Sequence, residues 1–470
     1  MKILRDVYTV LFIVGLFFIP FNDFDGLSFL GEYKNEAATY FFLLGFTALG
    51  IETLFKGRIN IPYKSIIFQL IFIFVLWTIV ATLFNLPTVI DSFYKQTSGL
   101  SRFARQFLSL IISVFVFFTL YWNVVRGLSF EQILRLIRKT FLFSFIFVFV
   151  YGIIESAIVI FGLSQLLPIL NLFEIFPFVN VSLNDIGRIS SVTYEVPSLG
   201  NYLITISAWM FSYVATEKSK WRYIPMLMVL LLMFLSGSRT ALINVSLQLI
   251  VFFVALYFKK EYREDITKLF LATSILIGIL FTFYSQPIIS TIQEKIESLD
   301  PTKKTAHDLS NRTRFGMQYA SLQVFKKNPI VGVGLGQETY HKIYEYPFWA
   351  TYGNWEFKYR YRNQKLKSFP SAYNIYTRLL AETGIIGFGI FASLLFICLN
   401  RSRILWIKSS DPVVANIALI LLVSFVGLFV NWFQTDFFRQ YGVWMSMAIL
   451  IKLWQNRMAI LAKNDLATTG

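Results

Sequence analysis

Arginine is the residue type whose placement most clearly suggests chemistry in this chain. Arg239 lies in a tight turn between two apolar runs. Arg188 begins a polar stretch that connects two other apolar runs. Arg312 and Arg314 begin a helical pattern, where free N-terminal N–H groups favour phosphate. Because a guanidinium matches phosphate oxygens with two parallel hydrogen bonds, these arginines together predict a phosphate or diphosphate site.

Each arginine alone also has an ordinary explanation. Arg239 could extend toward lipid headgroups or pair with an acidic neighbour. Arg188 could belong to an ordinary outer loop, and Arg312 and Arg314 to a solvated helix start. The case for a site therefore rests on all four together.

Four residues are candidates for a catalytic base or another catalytic role. Glu195 follows Arg188 in the polar stretch, and His341 lies among aromatic and basic residues. Tyr373 points either into a site or to the membrane interface. Glu382 follows Arg378 by four residues, which equally fits an ordinary helix ion pair. The sequence does not choose among them.

The composition indicates a membrane protein. The 470 residues are 56% hydrophobic and only 15% charged, with 51 Phe, whereas soluble domains carry roughly a quarter charged residues. One Cys excludes a disulfide framework, and two His leave few metal ligands. We expect no metal, no cofactor and no nucleic-acid partner, since membrane orientation accounts for much of the positive charge.

The predicted fold is an all-α polytopic membrane protein of about twelve helices, because each crossing needs about 20 mostly apolar residues. Residues 1–285 carry the first nine spans, 286–383 form a large periplasmic loop with amphipathic helices, and 384–470 carry three spans and the C-terminus. The predicted spans are 7–21, 38–54, 65–86, 106–125, 141–163, 199–216, 221–236, 240–258, 269–285, 384–400, 413–433 and 437–454.

Basic residues set the orientation, because Lys and Arg collect in cytoplasmic loops. The pattern fits an inner-membrane protein with both termini in the cytoplasm and a site facing the periplasm. Seven basic residues nevertheless fall in short outer loops, and we expect each to have another role: Lys34, Lys95, Arg102, Arg105, Arg188, Arg239 and Arg439.

The large loop is positive, with 13 basic and 7 acidic residues between Gln286 and Pro370. This charge suits an anionic ligand. Phe315, Tyr319 and Leu322 have the spacing of an amphipathic helix, and Lys326 to Pro329 should end it. Gly332 to Gly336 lacks the surroundings of a nucleotide-binding loop and predicts a tight turn.

Three short motifs resemble the bacterial O-antigen polymerase and ligase family, in that family's order. The resemblance covers roughly residues 185 to 400 and brackets the large loop. The motifs are Ser236-Gly237-Ser238-Arg239-Thr240, Asn328-Pro329-Ile330-Val331-Gly332-Val333-Gly334 and Ala381-Glu382-Thr383-Gly384-Ile385-Ile386-Gly387.

The resemblance implies a metal-independent, inverting glycosyltransferase of the GT-C type. Such an enzyme acts on undecaprenyl-diphosphate-linked oligosaccharides at the periplasmic face. It implies that Arg239, Arg312 and Arg314 hold the diphosphate, with Arg188 and Asn374 as further candidates for substrate binding. A chain-length-regulating protein is a conceivable partner.

The chain departs from the ligase pattern at two places. Tyr373-Asn374 stands where ligases have His-Asn, and Pro197-Ser198 stands where the family has Pro-Asn. The missing His favours a polymerase, which joins repeat units, over a ligase that transfers glycan to lipid A core. A transporter or flippase is the alternative of another class, although no internal repeat of the kind common in transporters is visible.

Overall fold

Long helices make up most of the computed structural model, which describes residues 2–183, 187–264, 266–267 and 308–456. The predicted all-helical character is confirmed. The helices are Lys2–Phe17, Ala37–Lys56, Ile66–Phe84, Gly99–Arg126, Phe130–Val159, Val196–Thr216, Ile224–Ser236, Arg239–Tyr257, Asp308–Lys327, Ile375–Lys408, Pro412–Asn431 and Tyr441–Gln455.

Shorter elements connect these helices. Phe93–Tyr94 pairs with Thr97–Ser98 in a two-stranded antiparallel hairpin. The short α-helices are Leu86–Asp91, Leu167–Asn171, Glu338–Lys342 and Phe348–Thr351, and the 3₁₀ turns are Ser28–Tyr33, Ser164–Leu166, Leu172–Ile175 and Lys220–Tyr223. Ile112–Phe117 and Glu356–Tyr361 have π-helical hydrogen bonding.

Helix starts follow local capping chemistry. Ser129 forms a capping box with Gln132 at the start of Phe130–Val159. Asp411 accepts hydrogen bonds from the Val413 and Val414 N–H groups, just before the helix that begins at Pro412. These caps satisfy N–H groups that a helix cannot pair internally.

Seven of the described helices are long and apolar enough to cross a membrane. The chain is therefore a membrane-integral protein, while the count of twelve stays a prediction. Lys2–Phe17, Ile224–Ser236 and Tyr441–Gln455 coincide with predicted spans but are shorter than 18 residues. Val196–Thr216 is long enough but less apolar. The predicted span 269–285 lies outside the described residues.

Buried polar groups join helices in the core. Gln248 is 0% exposed. Its Nε2 donates to the Ile204 carbonyl at 3.0 Å and to the Val423 carbonyl at 3.3 Å. These bonds connect Arg239–Tyr257 to Val196–Thr216 and Pro412–Asn431. The helix that begins at Arg239 is thus fixed against two neighbours.

The described part of the large loop packs around the helix Asp308–Lys327, here called the loop helix. It ends at Lys327, as predicted. Phe315 and Tyr319, whose spacing predicted an amphipathic helix, are 45% and 44% exposed. The opposite side is buried, in a small core of Met317, Ala320, Tyr346, Ala350, Phe357 and Tyr361. The loop's own aromatic residues cover this part of the loop helix, and Val324 further along it packs with Ala381 of helix Ile375–Lys408.

Candidate functional site

A tight turn places Arg239 at the start of its helix. Helix Ile224–Ser236 ends at Gly237, whose φ of +60° favours glycine. The Ser238 hydroxyl then accepts a hydrogen bond from the Ala241 N–H at 3.3 Å and caps the next helix. Arg239 therefore occupies the first helical position and is partly buried.

Arg188 approaches the same turn from the polar stretch. Its Nη2 donates to the Gly237 carbonyl at 2.7 Å. A Cβ at position 237 would lie 3.2 Å from Arg188 Nε, so glycine also leaves room for this arginine. Burial lowers the pKa of Arg188, and the neighbouring Arg314 charge lowers it further. An arginine nevertheless stays protonated at neutral pH.

Glu155 holds the segment that follows Arg188. It is 0% exposed in helix Phe130–Val159. Its two carboxylate oxygens accept hydrogen bonds from the Ser190 N–H at 3.1 Å and the Ser191 N–H at 2.6 Å. Ser191 has a φ of +54°, an uncommon conformation for a residue with a side chain. Sequence reasoning missed Glu155, although an acidic residue inside a predicted span was the signal for it.

The loop helix adds a third arginine. Arg314 interacts electrostatically with Arg188 and Arg239, and these two interact with each other. The arginine cluster, as we call Arg188, Arg239 and Arg314, therefore brings together three distant parts of the sequence. Like charges at close range repel, and an anion with several oxygens relieves that repulsion. Arg312 lies on the same loop helix, also partly buried.

Tyr373 lies beside Arg314. The guanidinium carbon of Arg314 is 5.4 Å from the ring centroid, and Nη1 donates to the Gln434 amide oxygen at 3.4 Å. Tyr373 has a φ of +55°, and its hydroxyl is 2.7 Å from the Tyr361 hydroxyl. Burial raises the pKa of Tyr373. The phenol is therefore protonated at neutral pH and is poorly suited to be a base.

Asn374 caps a helix. Its amide oxygen accepts hydrogen bonds from the Tyr376 N–H at 2.9 Å and the Thr377 N–H at 3.2 Å. Its amide nitrogen donates to the Gln318 side chain on the loop helix at 3.4 Å. Asn374 thus connects the start of Ile375–Lys408 to the helix that carries Arg314.

Glu195 lies next to the arginine cluster. It precedes helix Val196–Thr216, but its carboxylate does not cap that helix. It lines a cavity of about 280 Å³. Partial burial raises the pKa of Glu195, and the charges of Arg314 and Arg360 oppose that rise. Its carboxylate is thus open to a cavity and electrostatically connected to two arginines.

Arg360 is a basic neighbour that sequence reasoning did not single out. It belongs to the π-helical turn Glu356–Tyr361, and its guanidinium carbon lies 5.7 Å from the Tyr361 ring centroid. Lys95, 1% exposed, donates to the Arg360 carbonyl at 2.7 Å and to the Ser368 carbonyl at 2.8 Å. The only signal for Arg360 was the basic and aromatic character of its segment.

Glu382 occupies a different environment. Arg378 Nε donates to its carboxylate at 3.1 Å, and both side chains are buried. Arg378 also donates to Gln106 at 2.7 Å and to the Asp436 carbonyl at 2.6 Å. Of the two interpretations left open by the sequence, the structure shows the helix ion pair. No contact found within the described residues joins Glu382 to the arginine cluster.

The glycine turn packs against a break in helix Ile375–Lys408. Gly384 has a φ of +63° there. The Val333 N–H donates to the Ala381 carbonyl at 3.0 Å, and the Gly334 N–H donates to the Glu382 carbonyl at 2.9 Å. A Cβ at Gly384 would lie 2.1 Å from the Ile330 carbonyl oxygen. The motif that contains Gly332 and the motif that contains Gly384 thus contact each other through their backbones. Gly332 to Gly336 is a tight turn, as predicted.

His341 lies on the short helix Glu338–Lys342. It is partly buried, and burial lowers its pKa, which favours the neutral imidazole. On the same helix Lys342 and Glu338 form a buried ion pair at 3.0 Å. The contacts found in the described part of the chain do not connect His341 to the arginine cluster.

Several of the basic residues that the sequence predicts in short outer loops have partners within the structure. Lys95 holds two loop carbonyls, as described above. Arg105 donates to the Thr97 hydroxyl at 3.1 Å. Arg102 lies 3.9 Å from Glu32 and 4.5 Å from the Phe369 ring centroid, and Arg439 Nε lies 3.6 Å from Glu32. The seven cations predicted to lie in outer loops thus include residues that hold the large loop, such as Lys95, as well as Arg188 and Arg239 of the cluster.

A comparison with protein families agrees with this arrangement. Residues 224–392 match the family model described as O-antigen ligase. The chain carries a domain of the O-antigen ligase family. The resemblance inferred from the three motifs is thereby confirmed. No curated protein matches the chain.

The O-antigen ligase domain contains Arg239, Arg314, Tyr373 and the contact between the glycine turn and Gly384. Arg188 and Glu195 precede it. The candidate site therefore combines the domain with an earlier polar segment, and Glu155 fixes that segment. The match over residues 224–392 supports an enzyme of the O-antigen ligase or polymerase type with lipid-linked glycan substrates.

Proposed function

We propose that this protein is an O-antigen or related surface-polysaccharide polymerase of the GT-C type. It would join undecaprenyl-diphosphate-linked oligosaccharide repeats at the periplasmic face of a bacterial inner membrane, with inversion and without a metal ion. The observation that carries the proposal is the convergence of Arg188, Arg239 and Arg314 beside Glu195. Such a site pairs an anion-binding cluster with a carboxylate.

The arginine cluster suits the leaving group of this reaction. When the bond between the sugar and the diphosphate breaks, negative charge grows on the diphosphate oxygen. Fixed guanidinium groups stabilise that charge more strongly in a partly desolvated site than in water. They also supply bidentate hydrogen bonds to phosphate oxygens. We assign Arg312, on the same helix, to the diphosphate as well.

Glu195 is the base that the geometry favours. In the proposed step, the acceptor hydroxyl oxygen forms a bond to the anomeric carbon of the donor sugar. The bond from that carbon to the diphosphate oxygen breaks, and its electron pair leaves with undecaprenyl diphosphate. The hydroxyl proton passes to the Glu195 carboxylate, and solvent then takes it up. Holding both lipid-linked substrates in one site supplies the orientation.

The ligase reaction is the second candidate, because the matching family model carries that description. Both reactions use the same donor and leaving group, so the arginine cluster does not separate them. We favour the polymerase because Tyr373 stands at the position of the ligase His. Tyr373 is partly buried and its hydroxyl is hydrogen-bonded to that of Tyr361, and a phenol does not supply the proton-accepting nitrogen of a neutral imidazole.

The decisive test is reconstitution of the purified protein in lipid nanodiscs with one lipid-linked repeat unit as the sole substrate. A polymerase forms a ladder of longer lipid-linked glycans and releases undecaprenyl diphosphate, without any gradient. A transporter or flippase forms no glycosidic product. No ladder from a correctly folded protein would contradict the proposal.

The polysaccharide of a deletion strain separates polymerase from ligase. Loss of a polymerase leaves a single repeat attached to its acceptor. Loss of a ligase instead leaves long polymer on the lipid carrier. The second pattern would move the assignment to the ligase.

A further inference from the structure

A cavity lies beside Glu195, on the side where the loops 22–36 and 431–441 meet the start of Val196–Thr216. It has a volume of about 280 Å³. At roughly 30 Å³ for each water, this equals about nine waters, enough for a single sugar ring. Its polar lining includes Glu32, Asn35, Glu36, Glu195, Asn431 and Gln440.

Three side chains that line the cavity have amide oxygens without hydrogen-bond partners in the described part of the chain. Within the described residues, the amide oxygens of Asn35, Asn431 and Gln440 are buried and accept no hydrogen bond. Asn431 and Gln440 are only 1% and 7% exposed. A buried polar atom without a partner is costly. Three such oxygens around one cavity indicate a ligand that donates hydrogen bonds.

The amide nitrogens of two of these residues each donate one hydrogen bond within the protein. Asn431 Nδ2 donates to the Asn201 amide oxygen at 2.8 Å. Gln440 Nε2 donates to the Thr435 hydroxyl at 3.1 Å. Each nitrogen thus has one of its two N–H donors engaged within the protein, whereas each amide oxygen has no partner among the residues described.

The charges of the cavity exclude an anion and fit a neutral ligand. Glu32, Glu36 and Glu195 line it together with a single arginine, Arg439. Arg439 forms an ion pair with Glu36, and its Nε lies 3.6 Å from the Glu32 carboxylate. Its Nη1 also donates to the Glu32 backbone carbonyl at 2.6 Å. The Tyr441 hydroxyl also donates to Glu36. Arg439 and Tyr441 thus bind the carboxylates of the lining, while the amide oxygens of Asn35, Asn431 and Gln440 have no partner within the described ranges.

We propose that this cavity, formed by Asn35, Asn431 and Gln440 beside Glu195, binds the hydroxyl groups of the terminal sugar of the acceptor glycan. Sugar hydroxyls are neutral donors and satisfy the three oxygens. Glu195 lines the cavity and interacts electrostatically with Arg314, so it stands between an acceptor sugar and the donor diphosphate. The inference rests on the proposed glycosyl transfer and adds where the acceptor binds.

Binding is best measured without catalysis. The probe is the lipid-free repeat oligosaccharide, released from its carrier by mild acid, and its affinity for the protein in nanodiscs is measured by ligand-observed NMR. Asn35→Ala removes one acceptor oxygen, and we expect affinity about fivefold weaker. Gln440→Ala, alone and with Asn35→Ala, should weaken it further. Gln69→Ala is the matched control, because that amide does not line the cavity.

Two further results separate this inference from the proposed function. Arg314→Ala should stop chain extension but leave oligosaccharide affinity unchanged. Inorganic diphosphate should not displace the oligosaccharide. Wild-type affinity in the Asn35→Ala and Gln440→Ala double variant, or displacement by diphosphate, overturns the acceptor site even where chain extension is intact. Absence of chain extension by the wild type overturns the proposed function instead.

Discussion

Glu195 is the residue whose surroundings matter most for the proposed chemistry. Its carboxylate does not cap its helix, lines the cavity and interacts electrostatically with Arg314 and Arg360. Burial raises its pKa, and the two arginines oppose the rise. A base near arginines is deprotonated over a wider pH range than burial alone would permit, which suits a reaction at neutral pH.

Glu195→Gln tests the base directly. The amide cannot take up the acceptor proton, so chain extension should fall by about a hundredfold or more. In the wild type the active form is deprotonated. The rate should therefore fall as pH drops through the pKa of Glu195, which burial raises above the ordinary 4.5. The measurement is a pH profile of initial rates for the wild type and for Glu195→Gln. If the decrease in rate at acid pH is the same in both proteins, Glu195 is not the base.

Arg360→Gln tests the electrostatic connection. Removing the Arg360 charge removes an influence that lowers the pKa of Glu195, so the acid limb of the pH profile should move to higher pH. Lys358→Gln is the matched control, since Lys358 is exposed on the same turn and does not appear among the influences on Glu195. Equal shifts in both variants would show a general charge effect.

At the scale of elements, two sets of hydrogen bonds hold segments near the site. Glu155 fixes the polar stretch of Arg188 from within a membrane helix. The glycine turn and the break at Gly384 orient the segment that carries Tyr373 and Asn374. Both devices use backbone hydrogen bonds, so substitutions there should act through the shape of the site.

Gly384→Ala should lower the free energy of unfolding, because it puts a side chain at the break in helix Ile375–Lys408. A Cβ would lie 2.1 Å from the Ile330 carbonyl oxygen, and the φ of +63° disfavours any side chain. We expect a loss of about 1–3 kcal/mol in stability, with reduced chain extension. Gly389→Ala is the control, because a Cβ there meets nothing within 4 Å on the same helix. The measurement is thermal unfolding in detergent, and equal midpoints would contradict the contact.

Glu155→Ala should release the Arg188 segment. The Ser190 and Ser191 N–H groups would lose their acceptor, at a cost of about 1–3 kcal/mol for each unsatisfied group. Hydrogen–deuterium exchange of the segment 187–195 should accelerate, and Glu155→Gln, which keeps one acceptor oxygen, should show a smaller change. Glu174→Ala, on an exposed turn, should leave the exchange unchanged. Unchanged exchange in Glu155→Ala would argue against this support.

At the scale of the whole molecule, the sequence predicted the helical membrane fold and most of the helix positions. Long apolar runs between capping residues are strong local signals. The sequence also singled out Arg188 and Arg239, because charges near membrane depth need a reason, and Arg312 and Arg314, because they stand near a predicted helix start. Of these four, Arg188, Arg239 and Arg314 form the arginine cluster. Those three residues come together in the structure, as a shared phosphate site requires.

The missed features depend on tertiary contacts. The sequence did not indicate that Met317 and Ala320 form the buried side of the loop helix, because aromatic residues elsewhere in the loop cover them and no local pattern reveals that contact. Arg360 was not distinguished from its basic neighbours because its position depends on Lys95, far away in sequence. Likewise, no sequence pattern indicated the unpartnered oxygens of Asn431 and Gln440.

Orientation in the membrane is testable through the single cysteine. Cys398 is 0% exposed, so it should give little background with a maleimide that does not cross membranes. Lys34→Cys and Lys365→Cys should react in intact spheroplasts. Arg58→Cys and Ser410→Cys should react only after permeabilisation. The reverse pattern would place the candidate site in the cytoplasm and contradict a periplasmic reaction.

The most direct test of the central claim compares Arg239→Ala with Lys326→Ala in the nanodisc reaction. Arg239 belongs to the arginine cluster, whereas Lys326 is an exposed cation near the end of the loop helix. We predict that Lys326→Ala forms the wild-type ladder of lipid-linked glycans and that Arg239→Ala, although folded and expressed, forms none. A wild-type ladder from Arg239→Ala would contradict the assignment of the cluster to the leaving diphosphate.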